Sequence, residues 1–270
     1  MIKFICPVCK CVLSKKDNAL VCENNHSYDI AKQGYVNLLQ SQKSSKKRHG
    51  DDKLMIKARR DFLDGGFYEP LLNGICTAVA DNAESTYFSL LDCGCGECYY
   101  TSDIKHRFSN ADIYGTDISK EALIFGAKRT KDIHLAAASS SNLPVGNNSF
   151  NFLLSIFAPV FPDEFSRVLK SGGILIRAVP LENHLLGLKR AIYDIPYKNK
   201  AEDLTLSGFR LIENNEIKYT LELEHSTDIM NLFKMTPYFY KTSRTDQEKI
   251  EKLDYLKTEI EFAVLVYKTC

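Results

Sequence analysis

Within the first 26 residues, Cys6-Pro7-Val8-Cys9 is followed after twelve residues by Cys22, and after three more by His26. A C-x2-C-x12-C-x3-H spacing brings two thiolates from one tight turn to a thiolate and an imidazole from another, the closed tetrahedral set of a structural zinc. So short a segment cannot build a core of its own, so the metal is expected to fold it. Cys11 makes a C-x-C with Cys9 and stays open as a replacement ligand, although the Cys6–Cys9 turn is the better clip. The other five cysteines, Cys76, Cys93, Cys95, Cys98 and Cys270, read as reduced thiols.

The 270 residues, 44% hydrophobic and 26% charged, suffice for one large domain beyond this appendage. The longest apolar runs are strand-sized, with no signal-peptide or membrane-span pattern, which predicts a soluble, cytoplasmic protein with no membrane partner. Net charge is +1, but residues 1–60 hold thirteen Lys and Arg against five Asp and Glu. The basic excess is densest at Lys43, Lys46, Lys47 and Arg48, inside the polar stretch from Gln40 to Lys53. Such a tract attracts phosphate without reading sequence, so these four residues are candidate RNA contacts; a solvated linker is the alternative. The organisation expected is a zinc module over 1–38, a basic linker over 39–53 and a large domain over 54–270, with 180–245 partly a substrate-side cover.

From Leu54 the pattern becomes helical, with Leu54, Met55, Ala58, Phe62 and Leu63 recurring before Gly65-Gly66, and a second helix begins near Tyr68-Glu69-Pro70. Short apolar strands are expected at 87–92, 112–116, 133–137, 150–157 and 173–179, alternating with helices, one of them capped by Ser119. Long strands at 209–223 and 259–267 complete the sheet, the last antiparallel. The succession predicts an α/β, doubly wound, mostly parallel sheet covered on both faces.

After the first of these strands comes Asp92-Cys93-Gly94-Cys95-Gly96-Glu97. Gly94 and Gly96 let the backbone pass close to a ligand, and the following helix points its amides there. Asp117, 25 positions after Asp92 and at the tip of the next strand, is placed to accept from ribose hydroxyls. A dinucleotide site wants a third glycine beneath the pyrophosphate; here it is Cys98. Glu97 is an awkward neighbour for phosphate and a suitable one for an amino group or sulfonium. S-adenosylmethionine is therefore favoured, with a nicotinamide dinucleotide as the alternative.

These segments, with Cys22–Tyr28, Ala31–Leu39, Ala58–Asp64, Phe157-Ala158-Pro159 and Met235-Thr236-Pro237, resemble the bacterial 23S rRNA (guanine-N1)-methyltransferases of the RlmA type across essentially the whole chain. The resemblance implies a Rossmann-like class I S-adenosylmethionine-dependent methyltransferase with a small N-terminal zinc-binding domain. It implies a homodimer that methylates guanine N1 in the hairpin 35 loop of 23S rRNA. It places the zinc on Cys6, Cys9, Cys22 and His26, and cofactor contacts on Tyr68, Gly96, Glu97 and His184. Two departures from the usual motifs are Cys98, for the third glycine, and Ser139, where many such enzymes place an acid toward adenine. A small-molecule methyltransferase and a catalytically impaired RNA-binding paralogue are the alternatives.

Guanine N1 carries a proton near neutral pH that must leave as the methyl arrives. His184, Asp163 and Arg177 are the candidate bases, none distinguished by sequence, and Phe157 either stacks on the extruded base or packs in the core. Neutralising Lys43, Lys46, Lys47 and Arg48 together is expected to reduce the slope of log affinity against log salt by about 3, at about 0.7 to 0.9 per phosphate contact. A parental slope, measured by filter binding, would identify the stretch as a solvated linker.

Overall fold

The computed structural model describes residues 3–40 and 52–270. Four short strands come first: β1 (Ser14–Lys16), β2 (Ala19–Val21), β3 (Ser27–Asp29) and β4 (Tyr35–Asn37). Two helices follow, α1 (Lys53–Asp64) and α2 (Glu69–Asn82). Asp52 caps α1 by accepting from Met55 N at 2.9 Å, and Pro70 stands in the first turn of α2, where its missing N–H is harmless. The alternating region contains β5 (Ser89–Cys93), α3 (Tyr99–Arg107), β6 (Asp112–Asp117), α4 (Lys120–Arg129), β7 (His134–Ala137), β8 (Phe150–Ile156), α5 (Pro162–Val168) and β9 (Leu169–Pro180). Last come α6 (Leu186–Ile192), β10 (Phe209–Leu223), α7 (Ser226–Lys234), a 3-10 turn (Phe239–Lys241), α8 (Arg244–Glu251) and β11 (Leu256–Thr269).

Eight strands form one mixed sheet in the order β10-β11-β9-β8-β5-β6-β7-β4. From β4 to β9 every neighbouring pair is parallel, and β11 runs antiparallel to both β9 and β10. The chain moves outward from β5 through β6 to β7, then returns to lay β8 and β9 on the other side of β5. Strand order therefore reverses between β5 and β8, and their carboxyl ends open a crevice where the crossovers diverge.

All five residues of β5 are buried, so its side chains alternate between two covered faces. Leu90 joins a cluster with Phe62, Leu71, Ile75, Leu123, Leu188, Leu232 and Phe262, which is the helical side. Leu91 and Cys93 join Phe4, Leu13, Leu20, Val36, Leu143, Val145, Phe150 and Phe165. The second face is thus covered largely by the amino-terminal lobe, with α5, where a doubly wound sheet would carry further helices.

The segment expected as a zinc module, 1–38, is joined to the sheet by pairing and by packing. Strand β4 adds to the sheet edge, pairing Tyr35, Val36 and Asn37 with Leu135, Ala136 and Ala137. Ile5 N donates to Pro144 O at 2.8 Å, Leu38 N to Ala137 O at 3.0 Å, and the Phe4 ring meets Tyr114 edge-on at 5.3 Å. The reason is area: the lobe lacks apolar residues for a core of its own, and the sheet needs a cover. Lys43, Lys46, Lys47 and Arg48 lie outside the described residues. No helix among those described is long and apolar enough to cross a membrane.

Because the lobe and the sheet share one core, Val36→Asp buries an unpaired charge in that shared core. It is expected to lower the stability of the whole protein by about 3 kcal/mol in a single urea transition. An unchanged main transition, followed by circular dichroism, would show that the lobe folds separately.

Candidate active site and metal centre

The glycine turn sits where β5 ends, and Phe157-Ala158-Pro159 where β8 ends, the two strands between which the order reverses. Gly94 (φ +88°) is glycine for a steric reason: a Cβ there would lie 2.8 Å from Ala158 Cβ. The glycine turn and the Phe157-Ala158-Pro159 loop thus touch directly. At Gly96 (φ +54°) a Cβ would meet nothing within 4 Å, so the backbone faces open space.

Asp117, at the tip of β6, accepts from Gly96 N (Oδ2, 2.8 Å) and from Ser119 N (Oδ1, 2.7 Å). Its carboxylate therefore braces the glycine turn against the start of α4. Asp92 is buried, with Oδ2 accepting from the Thr101 hydroxyl at 2.5 Å and Oδ1 without a partner among the described residues. Burial raises its carboxyl to about 7, and neighbouring Asp117 adds to the rise. Glu97 is also buried and raised by burial; Oε2 meets Arg129 Nε at 2.5 Å, and Oε1 lacks a partner. Thr101 and Arg129 were not singled out by the sequence reading, since neither stands in a recognisable spacing.

Cys98 occupies a left-handed position (φ 64°) at the head of α3, which explains why glycine is usual there. Its thiol is turned toward α4: a Cβ on Gly126 would fall 2.5 Å from Cys98 Sγ. The missing glycine is offset by one on the facing helix, and the cysteine leaves the cradle clear. Ser139 is half-buried, its hydroxyl 2.9 Å from that of Ser141.

Phe262, in the middle of β11, is the hub of an aromatic floor. Tyr68 packs edge-on to it at 4.9 Å, His184 lies at 4.5 Å and Phe157 at 5.3 Å. Its place in an alternating strand gave no signal of this. Tyr68, buried just before α2, also packs against Phe62. Phe157 combines a positive φ of 54° with 47% exposure, a strained aromatic held out of the core.

Of the three candidate bases, His184 is buried rather than on the surface; its Nδ1 accepts from Glu261 N at 3.3 Å, so Nε2 carries the proton. Burial, with nearby Lys189, holds it down to about 3, which makes it a donor and a poor base. Arg177 belongs to the opposite face, paired with Glu202 at 2.6 Å. Asp163 lies in the first turn of α5, on the side carrying the amino-terminal lobe.

In that lobe the ligand atoms of Cys6, Cys9, Cys22 and His26 all lie within 4.8 Å of one another. Cys6 Sγ and Cys22 Sγ are 3.5 and 3.4 Å from His26 Nδ1, and Cys9 Sγ is 3.6 Å from Cys22 Sγ. A tetrahedron with metal–sulfur bonds of about 2.3 Å has edges of about 3.8 Å, so the donor set fits zinc. Cys11 stands outside the set, its thiol directed at Cys9 O (3.6 Å). The Tyr28 hydroxyl, 3.1 Å from Cys6 Sγ, is placed to donate to that thiolate, an outer-shell contact missed by spacing alone.

The crevice fits S-adenosylmethionine on its own evidence. Two glycines clear a path, and two buried carboxylate oxygens that lack partners suit a ligand bearing an ammonium and a sulfonium. The fold and these two centres define a methyltransferase with a zinc ribbon, and matches to known proteins agree. A model described as RlmA, N-terminal, of zinc-ribbon type, matches residues 4–47, and a methyltransferase-domain model matches residues 90–173. The 23S rRNA (guanine(748)-N(1))-methyltransferase of Streptomyces fradiae is 32% identical over 82% of this chain and 80% of its own length. The YxjB protein of Bacillus subtilis (strain 168), named as a candidate 23S rRNA (guanine-N(1)-)-methyltransferase, is 26% identical over 97% of this chain and 96% of its own. A demethylmenaquinone methyltransferase of Staphylococcus saprophyticus is 31% identical, over 32% of this chain and 42% of its own. The chain belongs to the family of 23S rRNA (guanine-N1)-methyltransferases.

The ligand geometry predicts about one zinc per chain by atomic absorption, lost in Cys9→Ser and kept in Cys11→Ser. The reverse outcome would reassign the fourth ligand.

Proposed function

We propose that this protein methylates N1 of a guanine in the hairpin 35 loop of 23S rRNA, as a homodimer in the cytoplasm. What supports the reading most is the zinc ribbon built into the sheet that carries the methyl-donor crevice. The Bacillus subtilis relative named for rRNA matches 97% of the chain and so spans both parts, whereas the demethylmenaquinone enzyme matches about a third of the chain.

Bound S-adenosylmethionine supplies an electrophilic methyl on a sulfonium. Around it, Gly94 and Gly96 give backbone clearance, and Asp92 and Glu97 offer negative charge to its cationic end. Asp117, held by Gly96 N and Ser119 N at the tip of β6, takes the ribose hydroxyls as a charged acceptor. Tyr68 borders the crevice from the start of α2, and His184 does so as a neutral Nε2–H donor. Phe157 is the plate for the guanine once it is unstacked from its loop, and its contact with Phe262 ties that plate to His184. Lys43, Lys46, Lys47 and Arg48 hold phosphates of the RNA. Much of the rate comes from aligning nucleophile, methyl and leaving sulfur. The packing of Cys98 against Gly126 removes one reason for reading the chain as an inactive paralogue.

Primer extension on rRNA from a strain lacking the gene tests the reading, because N1 methylation blocks Watson–Crick pairing and halts reverse transcriptase. The hairpin 35 stop is expected to vanish on deletion and return with the gene. An identical pattern in both strains would overturn the assignment.

A further inference from the structure

Lys189, on α6, is fully buried, yet no carboxylate lies within ion-pair distance of it among the described residues. Its amine donates to Asn199 Oδ1 at 2.6 Å and lies 4.6 Å from the Tyr197 ring and 5.1 Å from the Tyr238 ring. Asn199 in turn donates to Leu181 O at 2.9 Å and His184 O at 3.1 Å, and its Oδ1 also accepts from the Tyr238 hydroxyl at 3.2 Å. One network therefore fixes the amine to the loop that carries His184, at the carboxyl edge where Phe157 emerges. The Tyr197 ring lies against the amine and is itself 49% exposed, so its side offers the approach for a planar base.

We propose that Lys189 is the group that takes the N1 proton of the target guanine, which reaches the amine by displacing the Tyr197 ring. The inference rests on the functional reading above and supplies the base that reading lacks. His184 is committed as a donor, and Arg177 is paired on the other face. Burial pushes the lysine amine below its usual range, toward the neutral form a proton acceptor needs. In the step, the amine lone pair takes the N1 proton and the N1 electron pair forms the bond to the methyl carbon. The methyl–sulfur electron pair stays on sulfur. A neutral amine, a guanine and a sulfonium become an ammonium, an N1-methylguanine and a thioether.

Tyr197, Tyr238 and His184 face the amine, and the elements packed against α6 carry Glu259 and Glu261 on β11 and Asp246 and Lys249 on α8. Glu259 is occupied by Gly187 N and Arg190, Glu261 by Asn183, and Lys249 by Asp194 and Asp246.

The test measures single-turnover methylation of a 23S rRNA fragment containing hairpin 35, at saturating S-adenosylmethionine and RNA, between about pH 6 and 9.5. Lys189→Met is expected to react about 100-fold more slowly at neutral pH, with log rate rising at unit slope as hydroxide takes over. Its S-adenosylmethionine affinity, by calorimetry, is expected to stay within about threefold of the parent. A rate within about threefold of the parent, or a loss equal at every pH, would overturn the assignment. Should the methionine variant not fold, Lys189→Arg keeps a donor for Asn199 Oδ1 but, always protonated, cannot accept a proton. The same slow reaction with cofactor binding intact supports the role, and parental activity overturns it. Parental protein that methylates no guanine would overturn the functional reading, and this inference with it; activity surviving the loss of Lys189 overturns the inference alone.

Discussion

Gly94 meets Ala158 at a distance that leaves no room for a Cβ, and much of the site follows from that contact. It exists because strand order reverses between β5 and β8, so the loops leaving these neighbours diverge to opposite sides but start side by side. The cofactor turn and the substrate loop are therefore held at van der Waals distance by the sheet itself. Methyl transfer needs donor and acceptor aligned within such a distance, and this contact fixes two backbone loops at the mouth of the crevice. Phe157, next in line, is held in a left-handed conformation with its ring outside the core, strain of about 1 to 3 kcal/mol that the surrounding sheet stabilises.

The electrostatics of the turn are unusual for a protein interior. Asp92 and Glu97 are both buried, each with one oxygen engaged and one without a partner among the described residues. Burial pushes Asp92 up to about 7, so near neutral pH it holds a proton that an unfolded aspartate has lost. Its contribution to stability is full below the unfolded value, about 4, and is lost as pH rises through about 7. A cationic ligand reverses that penalty by favouring the ionised carboxylate, which couples cofactor binding to proton release. Cys98 shows the complementary point in packing: a departure from glycine is tolerated because Gly126 provides the missing space.

The amino-terminal lobe has two tasks. Its zinc ligands hold turns that would otherwise lack a core, and its apolar residues cover a face of the sheet that helices would usually cover. The zinc ribbon and the strand that feeds the glycine turn thereby share one packed core. Phe4, Val36 and Leu38 belong to the same cluster as Leu91 and Cys93 of the strand that feeds the glycine turn.

Local patterns in the sequence were enough for the strands from β5 onward, for the helix capped by Ser119, for the grouping of Cys6, Cys9, Cys22 and His26 and for the glycine turn that ends β5. Each of these depends on residues close in the chain: ligand spacing, a period of two or of 3.6, a cap, a glycine between strand and helix. What only the tertiary structure decided are relations between distant segments. Cys11 is excluded from the metal set because its thiol points to Cys9 O. His184, a candidate base by sequence, becomes a buried neutral donor because Glu261 N and Phe262 approach it from β11. The lobe became part of the sheet because β4 found β7 about a hundred positions away. Lys189 carries no local signal at all: its surroundings, Tyr197, Asn199 and Tyr238, are set by how the cover folds over the sheet edge, since burial is a property of the packed chain and not of any stretch of it.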